Sequence, residues 1–232
     1  MEPGGSLASH LRRLLPNASA ATRQRLETSA RHRAFHRRES LHTGSVIPPF
    51  VLLDGHVIAR RLAETGQVSA ALIAGPGFLD GLRSISDPGR EALFELVALT
   101  DGAWATWDPR SVRALALEDA GLAVGLLDHS SDLTLTLNMR LDERTLESAC
   151  QRLAAILTEY GEAIFGTPHP VAMRADLAAM MGTSQVMMHR ALRELEANGL
   201  VQRDRAGGIR ILDKRRLTTL IAVAPPDGAP AL

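Results

Sequence analysis

The chain has 232 residues, 45% of them hydrophobic and 22% charged, an ordinary globular composition with room for one large domain or two modest ones. Its 26 Lys and Arg balance 26 Asp and Glu, so no global charge marks it for nucleic acid or membrane. The single cysteine, Cys150, excludes an internal disulfide framework and a four-cysteine zinc or iron–sulfur site within one chain.

The first residues are polar and Arg-rich, unlike a signal peptide, and no long apolar run follows. The expected compartment is therefore the cytoplasm, with no membrane partner. In residues 7–40, Leu7, Leu11, Leu14, Leu15 and Leu26 recur among arginines and predict helix, interrupted at Pro16-Asn17. Residues 42–128 change character. Short β-prone runs (Phe50 to Leu53, Val57 to Ala59, Ala70 to Ile73) alternate with turn signals at Asp54-Gly55, Thr65-Gly66, Gly75-Pro76-Gly77, Asp87-Pro88-Gly89 and Asp101-Gly102. That spacing predicts a small antiparallel barrel or sandwich.

Residues 133–161 read as mainly helical, although Leu133 to Leu137 alternates with a strand's period and leaves the start open. From Leu141 the positions Leu146, Ala149, Leu153, Ile156, Leu157 and Tyr160 follow the 3.6-residue period. A long helix over 129–166, with more apolar stripe than one small domain needs, is a dimerisation candidate. Thr167-Pro168-His169-Pro170 then stops helix and predicts a hinge. After Asp213 a short amphipathic helix, Leu217 to Val223, precedes a Pro-rich tail, 225–232, expected to be disordered.

The segment from Met173 to Asp213 carries the strongest signal. It predicts two short helices joined by a Gly-centred turn and followed by a β-hairpin, the layout of a winged helix-turn-helix. Leu177, Ala178 and Met181 would face a core. Gly182 sits where the turn needs a positive φ. Ser184 is placed as the N-cap of the second helix, and Met188, Leu192 and Leu195 form its buried stripe. Asn198-Gly199 ends that helix, and strands at 201–203 and 209–211 flank a wing turn from Asp204 to Gly208. The exposed face presents Gln185, Val186, His189 and Arg190, the candidate base-reading set. Arginine pairs bidentately with guanine, glutamine with adenine. Arg174, Thr183, Ser184, Arg193, Arg203 and Arg205 are the candidate phosphate contacts that set register.

Charge follows the same division. Residues 1–40 carry eight Arg against three Glu, residues 41–167 nine Arg against seventeen acids, and residues 168–216 nine Lys and Arg against five acids. A basic C-terminal segment beside an acidic middle suits a nucleic-acid-binding domain attached to one that does not bind it.

In order, these motifs resemble the CRP/FNR family of bacterial transcription regulators. Arg174 to Ala178 with Gly182-Thr183-Ser184 resembles the family's helix-turn-helix. Arg190-Ala191-Leu192, Leu195-Glu196, Gly199-Leu200-Val201 and Ile209 to Asp213 extend the likeness. Arg152-Leu153-Ala154 resembles the end of its long dimer helix. Leu53 to Val57, Gly75 to Phe78 and Gly81 are similar to turns of its cyclic-nucleotide-binding-type β-roll. The resemblance implies an α+β fold: N-terminal helices and an antiparallel β-roll over 1–128, the dimerisation helix over 129–166, and a winged helix-turn-helix over 167–224. It further implies a homodimer on palindromic double-stranded DNA, controlled by a small-molecule effector, with RNA polymerase as a further candidate partner. The alternative is a ligand-binding or protein-interaction module that does not act on DNA.

Departures from the family pattern shape the expectations. Val186 stands where relatives place a glutamate, which points to a thymine methyl rather than a cytosine amine. Gly81 is followed by Leu82, so the carboxylate that would hold a cyclic nucleotide's ribose is missing. Arg90 is the candidate for the cyclic phosphate. Gly81, Leu82 and Arg90 thus mark the candidate effector pocket, with cyclic nucleotide disfavoured and no cofactor assigned. The family's cysteine cluster for an iron–sulfur centre is absent. His32 and His36 would share a helix face, but among four arginines that repel a cation, so no metal is assigned. Cys150 is expected as a small apolar group at the dimer seam, and Trp104 and Trp107 as packing between the roll and the long helix. No nucleophile–base or paired-carboxylate arrangement stands out, so no enzyme is expected.

Overall fold

Side-chain caps set where the helices begin. In the computed structural model, which describes residues 5–41, 46–62, 68–87, 94–146, 148–161, 164, 174–204 and 208–222, helix α1 (Leu7–Leu14) starts at Ser6, whose Oγ accepts the Ser9 N–H at 3.3 Å. Helix α2 (Ala20–Ser29) starts at Ser19 in the same way. The contacts divide the chain into two units, residues 1–59 with 72–136 and residues 60–71 with 137–232.

The strands are β1 (Arg31–Phe35), β2 (Phe50–Asp54), β3 (Val57–Leu62), β4 (Val68–Ala74), β5 (Leu79–Asp80), β6 (Glu95–Ala98) and β7 (Gly102–Thr106), with a short helix α3 (Arg83–Ser86). They form one sheet in the order β1-β7-β2-β5 and a second in the order β4-β3-β6. Strand β2 explains the continuous run Phe50 to Leu53, because its two faces feed different cores. Phe50 and Leu52 join Phe35, Val57, Leu96 and Trp104, while Val51 joins Leu11, Leu15, Leu26, Trp107 and Leu122 beneath the helices. Each such side chain, fully buried, contributes about 1.5–3 kcal/mol. At the β2–β3 turn Gly55 has φ +80°, and a Cβ there would press on the Asp101 carbonyl, so the expected Asp54-Gly55 turn has a steric cause.

Three expectations for this unit are corrected. The Arg-rich stretch is helical only to Ser29; Arg31–Phe35 is the edge strand β1, paired with β7. His32 therefore lies on a strand, and it shares no helix face with His36. The β region ends at Thr106. Beyond it, α4 (Pro109–Glu118) is capped by Asp108, with Pro109 at the first position where a missing N–H costs nothing. Helix α5 (Ala120–Leu146) follows, its first turn held by Asp119 Oδ1 accepting the Leu122 N–H at 3.1 Å. The strand-like alternation at Leu133–Leu137 sits inside α5, where Thr134 and Thr136 donate to the Ser130 and Asp132 carbonyls at 2.8 Å. Trp104 packs inside the roll against Phe50 at 5.3 Å between ring centroids rather than against a long helix. Trp107 does join the helices, with Nε1 donating to the Leu26 carbonyl at 2.7 Å.

The second unit comprises α6 (Ala149–Tyr160), α7 (Arg174–Met180), α8 (Gln185–Ala197), β8 (Val201–Arg203), β9 (Ile209–Ile211) and α9 (Lys214–Ala222). The single helix expected over 129–166 is thus two helices, α5 and α6. A reciprocal cap starts the second: Ser148 Oγ accepts the Gln151 N–H at 3.2 Å, and Gln151 Oε1 accepts the Ser148 N–H at 2.8 Å. The apolar stripe of α6 is used within the unit. Leu153, Ala154 and Leu157 are fully buried, and Gln151 Nε2 donates to the Leu220 carbonyl of α9 at 3.3 Å. Cys150 lies in that core, its Sγ 3.8 Å from the Ala191 carbonyl of α8. Burial pushes its thiol pKa up to about 12. The proline hinge at 167–170 and the tail at 225–232 lie outside the described residues.

Candidate nucleic-acid interface

The turn between α7 and α8 is built by local chemistry. Gly182 has φ +63°, its N–H donates to the Ala179 carbonyl at 3.1 Å, and the Thr183 N–H donates to Ala178 at 2.9 Å. This is a Schellman ending, which closes α7 and turns the chain. Ser184 then caps α8, its Oγ accepting the Met187 N–H at 3.3 Å. The end of α8 repeats the device. Gly199 has φ +67°, and Leu200 N–H returns to the Leu195 carbonyl at 3.0 Å, with both leucines buried. Helix α8 is thereby pinned at both ends, and its rotation is set by buried Met188, Ala191, Leu192 and Leu195.

The opposite face of α8 is open. Gln185, Arg190 and Arg193 are exposed, His189 is partly exposed, and Val186 is 77% exposed. His189 Nδ1 lies 2.8 Å from the Gln185 carbonyl, which can only accept, so Nδ1 carries a proton there and Nε2 is left for another partner. Thr183 is partly exposed and Ser184 exposed at the start of the helix. Buried Asp176, in the first turn of α7, is faced by the Arg60 guanidinium at 3.6 Å within the same unit.

Arg203 differs from expectation. Its Nε and one Nη donate to the two Glu196 carboxylate oxygens at 2.7 and 2.6 Å, and the Arg203 N–H adds a third contact to Glu196 at 3.2 Å. This fork ties β8 to the last turn of α8. The Arg203 hydrogen bond holds the Glu196 carboxyl below the usual glutamate range. Arg203 is first a brace for the recognition helix. Arg205 and Arg90 lie outside the described residues, as does the side chain of Arg174.

Residues without an assigned role in the sequence complete the surface. The β8–β9 register sets Gln202 opposite Arg210, both exposed, while Val201 and Ile209 turn inward. Lys214, Arg215 and Arg216 are exposed at the start of α9. The period-two pattern Ile209-Arg210-Ile211 was the available signal for Arg210.

The candidate effector residues have structural duties. Gly81 has φ +78°, its N–H donates to Asp80 Oδ1 at 2.7 Å, and a Cβ there would collide with the Pro48 backbone. Leu82 packs on the apolar cluster around Leu11, Leu79 and Leu122. The roll interior is filled by Phe35, Phe50, Leu52 and Trp104. An open cleft of about 590 Å³ near the start of α1 is lined by Glu27, His32 and Asp54 among others.

Comparison with known proteins identifies the C-terminal part. Residues 151–220 match the Crp-like helix-turn-helix domain. A candidate transcriptional regulator of the CRP/FNR family from Eubacterium rectale superposes with a TM-score of 0.72 at 20% identity, covering 90% of this chain and 98% of its own. FixK2 from Bradyrhizobium japonicum gives 0.63 at 22% identity, covering 84% and 99%. The c-di-GMP responsive global regulator CLP of Xanthomonas campestris gives 0.65 at 17%, covering 84% and 100%. No curated protein matches the sequence. The chain therefore has the α+β fold of these regulators, and its residues 151–220 match the Crp-like helix-turn-helix domain. Among the described residues no helix is long and apolar enough to cross a membrane.

Proposed function

We propose that this chain, whose residues 151–220 form a Crp-like helix-turn-helix domain, is a transcription regulator that reads a palindromic operator as a homodimer. One observation carries the reading: α8 buries Met188, Leu192 and Leu195 and leaves Gln185, Val186, His189 and Arg190 outward, behind a capped N-terminus. In a major groove those side chains meet base edges, with Arg190 suited to guanine O6/N7, Gln185 to adenine N6/N7 and Val186 to a thymine methyl. His189, with Nδ1 committed to the Gln185 carbonyl, offers Nε2 to a base edge. Arg174, Thr183, Ser184, Arg193 and Arg205 would hold phosphates.

The dimer seam we place on α5, where Val124, Leu127 and Leu135 are 47%, 66% and 59% exposed along one side of a long helix. Regulation by an effector bound to the roll is the companion proposal, with RNA polymerase as the partner at the promoter. The packed roll interior and Leu82 argue against a cyclic nucleotide bound in the family's manner.

Selection of duplexes from a random pool by the full-length protein tests the reading. The expected product is two inverted half-sites about 10 bp apart, centre to centre. A pool that stays random would refute it. Thermal unfolding with cyclic AMP tests the effector proposal; a ligand at 100 times its Kd adds about 2.7 kcal/mol, and no such gain is expected.

A further inference from the structure

We propose that the exposed face of the wing and the first turn of α9 form a second phosphate-gripping surface, which holds duplex DNA flanking each half-site. The residues are Arg210, Lys214, Arg215 and Arg216, with Gln202 beside Arg210 on the same face of the hairpin. The inference rests on the DNA-binding reading above and extends it beyond the helix-turn-helix.

Three observations support the surface. First, these four cations are exposed, and no acidic partner holds any of them among the described residues, whereas Arg203 in the same hairpin is closed by Glu196. Second, Lys214, Arg215 and Arg216 occupy the N-terminal turn of a helix, where the backbone dipole disfavours positive charge. Asp213 offsets this by accepting the Arg216 N–H at 2.9 Å, yet three consecutive cations there weaken the helix they begin. Helix formation therefore does not account for them, and an external polyanion does. Third, the strip is rigidly placed. The Leu212 and Asp213 N–H groups both donate to the Leu200 carbonyl, at 2.9 and 3.3 Å, so the β9–α9 junction is anchored to the turn that ends α8.

Phosphate contacts carry no base information but release counterions, so they are read by salt dependence. The test uses the full chain and its selected operator in two duplexes, one trimmed to the half-sites and one with about one helical turn of flanking DNA on each side. Wild type should bind the longer duplex more tightly and with a steeper salt slope. The variant K214A/R215A/R216A should lose most of the flank gain, about tenfold or more near physiological salt, and flatten the slope by about 2 to 3 units per protomer engaged. Its base preference should be unchanged. Arg210→Gln should flatten the slope by about one unit per protomer, and K214R with R215K and R216K should restore wild-type behaviour. The triple alanine variant should unfold at no lower temperature than wild type, which separates lost contacts from lost structure. A variant with wild-type slope and flank gain overturns this surface while leaving the operator reading intact. Wild type that selects no operator overturns both.

Discussion

The two units differ in where they leave apolar side chains open: on α4 and α5 in the first, where Leu117, Leu127 and Leu135 are 82%, 66% and 59% exposed, and on the outer face of α8 in the second. In the first, Arg25 is closed by Glu118 at 2.5 Å and Arg33 by Glu39, while Phe50 and Trp104 are packed to 0% and 3% exposure. In the second, Met188 and Leu195 are packed to 1% exposure each, while Arg190, Arg193, Arg210 and Lys214 to Arg216 are exposed and Val186 is 77% uncovered. A folded domain ordinarily gains by covering large apolar side chains and by screening cations. Within the roll, by contrast, the described side chains Phe35, Phe50, Leu52 and Trp104 pack against one another.

The sharpest way to break this contrast is to open the roll. Phe50→Ala should cost about 3–5 kcal/mol in chemical denaturation, because Phe78 and Trp104 lose their shared neighbour. A cost near zero would mean that the interior has room for a ligand after all. Next in size, Arg190→Ala should lose about 1–3 kcal/mol of operator affinity and relax preference at one position of each half-site, with unfolding unchanged. Equal loss on every sequence would make Arg190 a phosphate contact. Gly182→Ala should then cost about 1–2 kcal/mol of stability, since a Cβ is disfavoured at φ +63°.

The smallest effect concerns the brace. Glu196→Gln should cost under about 1 kcal/mol at pH 7, because Glu196 and Arg203 are both partly exposed to water. The sign with pH follows from the lowered Glu196 value. The pair's contribution is present above the ordinary glutamate range and is withdrawn as pH falls through the depressed one. The variant's stability should therefore fall less than wild type's on acidification, in unfolding followed from neutral pH downward. An identical acid limb would remove Glu196 as a brace.

How much was legible in the sequence depended on how local the cause was. Gly182, Ser184 and Gly199 were readable because each answers a requirement of the backbone within three residues. The stripe Met188, Leu192, Leu195 was readable because one helix period fixes a face. The split of the expected long helix carried a signal too, the pair Ser148 and Gln151, but a stripe that continues across 146–157 hides a break at Ser148. The edge strand β1 was misread because Arg31 to Arg33 offers no apolar period, and its identity comes from β7 beside it. Leu82 and Gly81 looked like a degraded ligand site, while their positions are explained by the Leu79–Leu122 cluster and the Pro48 backbone.

Sequence alone determined the order of elements around the recognition helix, its two glycine endings and the side chains on its outer face, since torsion preference, capping and helical period act over a few residues. Only the tertiary structure decided that α6 serves the C-terminal core, that Arg203 belongs to Glu196, and that Arg210 and the start of α9 have no acidic partner among the described residues. Those outcomes depend on which distant groups reach each charge or apolar face first, and proximity between distant residues is set by packing.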